Sequence, residues 1–176
     1  MLADLFAGRE ALEGLETAVE LSAADPAFPN AVDVAVLMQE SGTPAGIDAT
    51  VKREPNDGDW SNVWMQKPYV VSNWTTRPTP GMMFSVAFAC GAPWAEAYWC
   101  NDQFEQLMKA GQTETDFAKR RQIYWDMQEL ASNDGGNVIF AFPTDLDAYH
   151  ESVGGAEPDG GNRLMGARIS ERVWIS

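Results

Sequence analysis

Few side chains in this sequence are placed to do covalent chemistry. His150 is the only histidine, and it sits in the polar stretch DAYHES. Any Ser, Cys or Thr nucleophile would have to use that one imidazole as its base, and no partner motif surrounds it, so it reads as a turn histidine. There is no GxSxG elbow, P-loop, GxGxxG after a strand, or HExxH. Carboxylates are abundant, but most fall at helix starts and in loops, which reads as a solvated acidic face rather than a glycosidase pair. We therefore expect no catalytic residue, no cofactor and no metal site.

The residues suited to binding lie in two clusters. Trp74 leads into Thr75-Thr76-Arg77-Pro78. Its indole offers a flat wall, and the Arg77 guanidinium offers a rigid fork for a carboxylate or phosphate. The second cluster runs from Trp94 through Tyr98, Trp99 and Cys100 to Asn101. Aromatics around an amide suit a small-molecule pocket. The competing reading has these aromatics in the core and Arg77 paired with a nearby acid. Cys90 and Cys100 are too far apart for a CxxC motif. Two buried thiols and a small-loop disulfide worth about 2–3 kcal/mol are both open readings.

These residues must be positioned by an alternation of strands and helices. Thr17–Leu21 alternates apolar and polar residues and predicts a strand. Asn30 is placed to cap a helix through about Ser41, and Ile47–Arg53 predicts a second strand. The β–α–β order favours parallel strands. Tyr69–Trp74 predicts a third, buried strand, ended by the proline-rich TTRPTPG. Met82–Ala89 and Asn101–Ala110 predict helices. A longer helix opens at Thr113, whose side chain is placed to bond the amide of Asp116, and ends near Gly135-Gly136. Val138–Phe142 (VIFAF) predicts a fourth strand. Residues 1–16 read as a short helix or connector, and the glycine-rich tail ends in an amphipathic stretch with Trp174. The expected fold class is α/β, a central mixed β-sheet flanked by helices.

Composition narrows the function. The chain has 176 residues, 45% hydrophobic and 22% charged, enough for a sizeable core. Seven Trp, eight Phe and four Tyr argue against disorder. Twelve basic residues against 26 acidic ones give a net charge of −14, which repels phosphate backbones and anionic lipid. Nucleic acid is not an expected partner, and no window is apolar enough to span a membrane. The opening MLADLFAGRE is not a secretory signal. Either the protein is cytoplasmic or its export signal lies outside this sequence.

The order of segments resembles a known family. VELSAAD, AVDVAVLMQESG and GIDATVKREPNDGDW, then the strand ending in Trp74 and RPTP, are similar to the C-terminal part of extracytoplasmic solute-binding proteins of family 5. These are the peptide, opine and nickel-type receptors of ABC importers. Trp99, Asn101, Phe104, Leu107, Arg120 or Arg121, Tyr124 and Gln128 follow that family's W–N–x–x–F–D/E–x–L and R–x–x–x–Y–x–x–x–Q region. The resemblance implies a periplasmic-binding-protein-like lobe over residues 1–150, with 151–176 returning toward the other lobe. It implies a periplasmic location, an ABC permease as partner, and a small-molecule or short-peptide solute held by Trp74, Thr75, Arg77, Tyr98, Trp99 and Asn101. A periplasmic parent favours Cys90–Cys100 as a disulfide, and an uncovered lobe surface favours self-association. Peptide-binding members commonly carry an aspartate three residues after the strand's tryptophan. Here that position is Arg77, which favours a solute with an acidic group over a peptide ammonium. A small cytoplasmic α/β enzyme and a protein-interaction module are the competing readings.

Overall fold

The computed structural model describes residues 18–144, 146–158 and 163–175. It divides into two compact units between Trp74 and Thr75. The class is α/β.

In the first unit, strand β1 (Ala18–Ala23) pairs in parallel with β2 (Asp48–Arg53), in register from Ala18↔Asp48 to Ala23↔Arg53. Helix α1 (Ala31–Gly42) makes the crossover. Its small side chains, Ala31 and Ala35, are fully buried and let the helix sit close to the strands. Leu21, Ala23, Ala27 and Val71 complete the core, with Phe28, Val32, Met38 and Val51 packed around it. Asn30 precedes the helix with φ 66° and makes no side-chain cap bond, so the expected asparagine cap is corrected. Left-handed backbone, which asparagine tolerates, turns the chain there instead.

The expected third strand is reduced to one parallel bridge, Ser22↔Val70. The Ser22 amide donates to the Tyr69 carbonyl at 3.0 Å, and the Val71 amide to the Ser22 carbonyl at 2.9 Å. Before this bridge, α2 (Asp59–Asn62) forms a single turn.

The second unit is mainly helical. Helix α3 (Pro80–Ala87) starts with Thr79 accepting from the Met82 amide and Pro80 in the first turn. Helix α4 (Asp102–Thr113) is capped by Asn101, and α5 (Phe117–Asp134) by Asp116. The expected start of α5 at Thr113 is corrected. Thr113 is the last residue of α4, and its hydroxyl donates to the Lys109 and Ala110 carbonyls at 3.2 Å. Asp116, with a full charge at the helix's positive end, is the better cap.

Phe84, Phe104, Met127 and Ala131 are the buried centre of this unit, surrounded by Phe88, Trp99, Leu107, Met108, Ile123, Tyr124 and Leu130. Phe104 is fully buried and meets Phe84 edge-on at 5.3 Å between centroids. Gly111 makes room for this packing: a Cβ there would lie 3.3–3.4 Å from Ile123 and Tyr124.

The expected fourth strand at Val138–Phe142 is also corrected. These residues form no strand, and Val138, Ile139, Phe140 and Phe142 are exposed. A run of apolar residues becomes a strand only where a ladder partner is available, and none of the described strands pairs with it. Further on, β3 (Val153–Gly154) pairs antiparallel with β4 (Trp174–Ile175). The predictions for residues 1–16 lie outside the described residues.

Candidate functional site

The six candidate residues occupy two loops. Trp74 is half-buried and closes the first unit. In the loop after it, Arg77 Nη1 donates to the Thr75 carbonyl and to Thr75 Oγ1, both at 2.9 Å, and to the Thr76 carbonyl at 3.4 Å. Thr75 and Arg77 are thus brought together. The guanidinium braces its own loop, which fixes where its fork is held.

The second loop starts from a covalent staple. Cys90 and Cys100 form a disulfide, with S–S 2.06 Å and Cα–Cα 4.6 Å. Glu105 of α4 accepts the Cys90 amide at 2.8 Å, which ties the same loop to the helix. Tyr98 takes a left-handed conformation, φ 50°, and is 71% exposed. It is the candidate aromatic most open to a ligand.

Trp99 and Asn101 hold the helices together. The Trp99 ring meets Phe104 edge-on at 5.0 Å, and its Nε1–H donates to Asp134 Oδ2 at 2.8 Å. Asn101 Oδ1 accepts the Phe104 amide at 3.1 Å, while Nδ2 donates to the same Asp134 oxygen at 3.4 Å. One carboxylate at the end of α5 therefore gathers both residues at the start of α4. This gives the W–N–x–x–F spacing a structural reason: indole, cap and core phenylalanine form one joint. Tyr124, the next residue of that pattern, packs against Phe84.

Two shallow grooves on the described surface bear on the site. One, about 340 Å³, is lined by Gln103, Leu107, Asp126, Glu129, Leu130 and Asn133. The other, about 480 Å³, is lined by Arg53, Glu54, Pro55 and Asn56. None of the six candidate residues lines either groove. No group of three His, Cys, Asp or Glu suited to a metal occurs among the described residues.

The sequence reading missed a buried polar group at the carboxyl ends of β1 and β2. Ser22 is 1% exposed, Glu54 9% and Asp59 5%, so two carboxylates lie away from the solvated acidic face. Ser22 Oγ donates to Glu54 Oε1 at 2.9 Å. Lys52 Nζ lies 3.2 Å from the same oxygen and 3.5 Å from Glu20. Burial pushes the Glu54 carboxyl up, but the Ser22 and Lys52 hydrogen bonds and the Lys52 and Lys67 charges outweigh it and hold it below its ordinary range. Asp59 has no such help. Burial, then the Glu54 charge, raises it above the ordinary aspartate range. Ser22, a small hydroxyl in β1, was the one sequence signal for this cluster.

No protein-family model and no curated protein sequence matches the chain. Solved structures do. The ABC transporter substrate-binding protein CtaP of Listeria monocytogenes matches with TM-score 0.63 and 15% identity, over 76% of this chain and 28% of that one. A dipeptide-binding protein from Pseudoalteromonas, solved with Met-Leu, matches with TM-score 0.59 and 21% identity, over 72% and 27%. The oligopeptide-binding protein AppA of Bacillus subtilis, solved with a nonapeptide, matches with TM-score 0.58 and 16% identity, over 90% and 32%. These neighbours are binding proteins, not enzymes. The chain has the fold of part of an ABC substrate-binding protein, and it spans about a quarter to a third of the length of the structures it matches.

Proposed function

We propose that this chain is part of the solute-binding component of an ABC importer and acts by capture rather than by chemistry. The observation that carries this reading is the fold, matched over 76% of the chain at TM-score 0.63 by an ABC substrate-binding protein. In the complete receptor, two lobes would close on a small molecule or short peptide and then dock on a membrane permease. Residues 1–150 would belong to one lobe and 151–176 would lead toward the other. The location would be periplasmic.

Trp74, Thr75, Arg77 and Tyr98 are the residues we assign to the solute. The local bonds of Arg77 favour an acidic group on that solute, because a guanidinium held by its own loop loses little freedom on pairing with a carboxylate. Trp99 and Asn101 support the site by holding α4 to α5.

The test is native mass spectrometry of the gene product purified from its host, followed by titration with the solute it carries. A retained small solute, with affinity lowered at least about tenfold by Arg77→Ala, supports the reading; that loss, about 1.4 kcal/mol, lies near the low end of the about 1.5–3 kcal/mol of a charge-assisted contact. Turnover of a substrate with no retained solute overturns it. A micromolar or tighter ligand for the isolated 176-residue chain would overturn the division of the site between two lobes.

A further inference from the structure

Tyr98 holds a backbone conformation that its residue type disfavours. Its φ is 50°, in the left-handed region where a bulky side chain is an outlier. The residue is 71% exposed, so burial of its ring contributes little to holding it there. Strain of this kind persists only where the surroundings over-determine it, and it gathers at functional sites.

The surroundings here are the end of α5 and the turn after it. Ala97, before Tyr98, lies against Gly136: a Cβ on that glycine would come within 2.9 Å of the Ala97 Cβ. Trp99, after Tyr98, donates its indole Nε1–H to Asp134 Oδ2 at 2.8 Å. The Tyr98 amide donates to the carbonyl of buried Ala95 at 2.9 Å, and the Cys90–Cys100 disulfide closes the loop two residues further on. Both chain neighbours of the strained residue are thus pinned to one end of one helix. Asp134 gains nothing from α5 itself, because an acid in the last turn meets the negative end of the helix dipole.

We propose that Asp134 is a positioning residue for Tyr98: by fixing the Trp99 indole, it holds the tyrosine in the left-handed conformation that offers its ring to a solute. The inference rests on the assignment of Tyr98 to the solute and deepens it. The platform is formed before the solute arrives, so the loop need not be ordered on binding. Released from the clamp, a tyrosine keeps left-handed backbone about a tenth of the time, and apparent affinity falls by that factor.

The experiment measures the one-bond Cα–Hα coupling of Tyr98, which separates left-handed backbone from the other conformations, in the 176-residue chain and in Asp134→Ala, Asp134→Asn and Trp99→Phe. Expected is the left-handed value in the unaltered chain and in Asp134→Asn, whose amide oxygen still accepts from the indole, and its loss in Asp134→Ala. Trp99→Phe keeps a ring beside Phe104 and removes the donor, so it should lose the left-handed value too, and it serves if Asp134→Ala does not fold. In the complete gene product, the small molecule that it carries out of its host, titrated back onto stripped protein, should bind about tenfold more weakly to Asp134→Ala. The same substitution made on Tyr98→Ala should cost no further affinity. An unchanged Tyr98 coupling in Asp134→Ala and Trp99→Phe overturns the proposal. So does a further loss of affinity in the double variant, which would leave Asp134 a merely structural part. A coupling that responds while Tyr98→Ala binds as tightly as the unaltered protein supports the clamp and overturns the assignment of Tyr98 to the solute.

Discussion

The two units are held together by different means. The helical unit has a core of large rings and chains, with Phe84, Phe104 and Met127 at its centre and no charged group among its described buried residues. The strand unit is packed with alanines around Leu21 and Val71, and it buries Ser22, Glu54 and Asp59 at the ends of its strands. Aromatic volume makes the first core sensitive to truncation and insensitive to pH. Small side chains let α1 approach the strands closely, and the carboxylates make the second core responsive to acid. The difference teaches that this chain buries polar groups near its strand ends and leaves them out of the described helical core.

The largest effect should come from Phe104→Ala. It empties the centre of the helical core and should cost about 3–5 kcal/mol in urea or thermal unfolding. A loss below about 1 kcal/mol would mean that the rings around Phe104 do not form one packed core.

Opening the Cys90–Cys100 bridge, by reduction or by Cys90→Ser with Cys100→Ser, should cost about 2–3 kcal/mol, as expected for so short a loop. An unchanged unfolding midpoint after complete reduction would show that α3, α4 and α5 hold the loop without it.

The strand unit gives a smaller, pH-dependent effect. Asp59 is raised in the fold, so its ionisation opposes folding above the folded value. That opposition fades as pH falls toward the ordinary aspartate range. Glu54 is lowered, so its contribution is present above the ordinary glutamate range and is lost as pH falls through its folded value. Asp59→Asn should therefore raise the melting temperature at neutral pH and leave a profile that only falls on acidification. If Asp59→Asn lowers the melting temperature at neutral pH, the carboxylate is contributing as an ion, and the contrast between the cores fails.

The smallest effect should be at Phe142, which is 87% exposed. Phe142→Ser should change stability by less than about 0.5 kcal/mol. A loss above 1 kcal/mol would show that the apolar run after α5 belongs to a core.

Much of the arrangement was legible in the sequence. The β–α–β order, α3, α4, α5 and the stop at Gly136 followed from apolar patterning and glycine, because helix signals are local. Gly136, at φ +72°, is the left-handed position that ends α5. The order of Trp99, Asn101, Phe104 and Tyr124 also pointed to the right fold. What these residues do was less legible. Trp99 and Asn101 read as binding residues, yet both turn to Asp134, more than thirty positions away. Two groups so far apart in sequence carry no joint periodicity.

By itself, then, the sequence determined the first two strands and the longer helices, since these rest on near neighbours. Only the tertiary structure decided which apolar runs found partners. VIFAF and the core face of α5 are comparably apolar, but a strand needs a ladder supplied from elsewhere in the chain, whereas a helix satisfies its own backbone. Only the tertiary structure, too, decided which acids were buried. Glu54 and Asp59 look like the other acids of this chain until the fold brings Ser22 and Lys52 to one of them and none of these to the other.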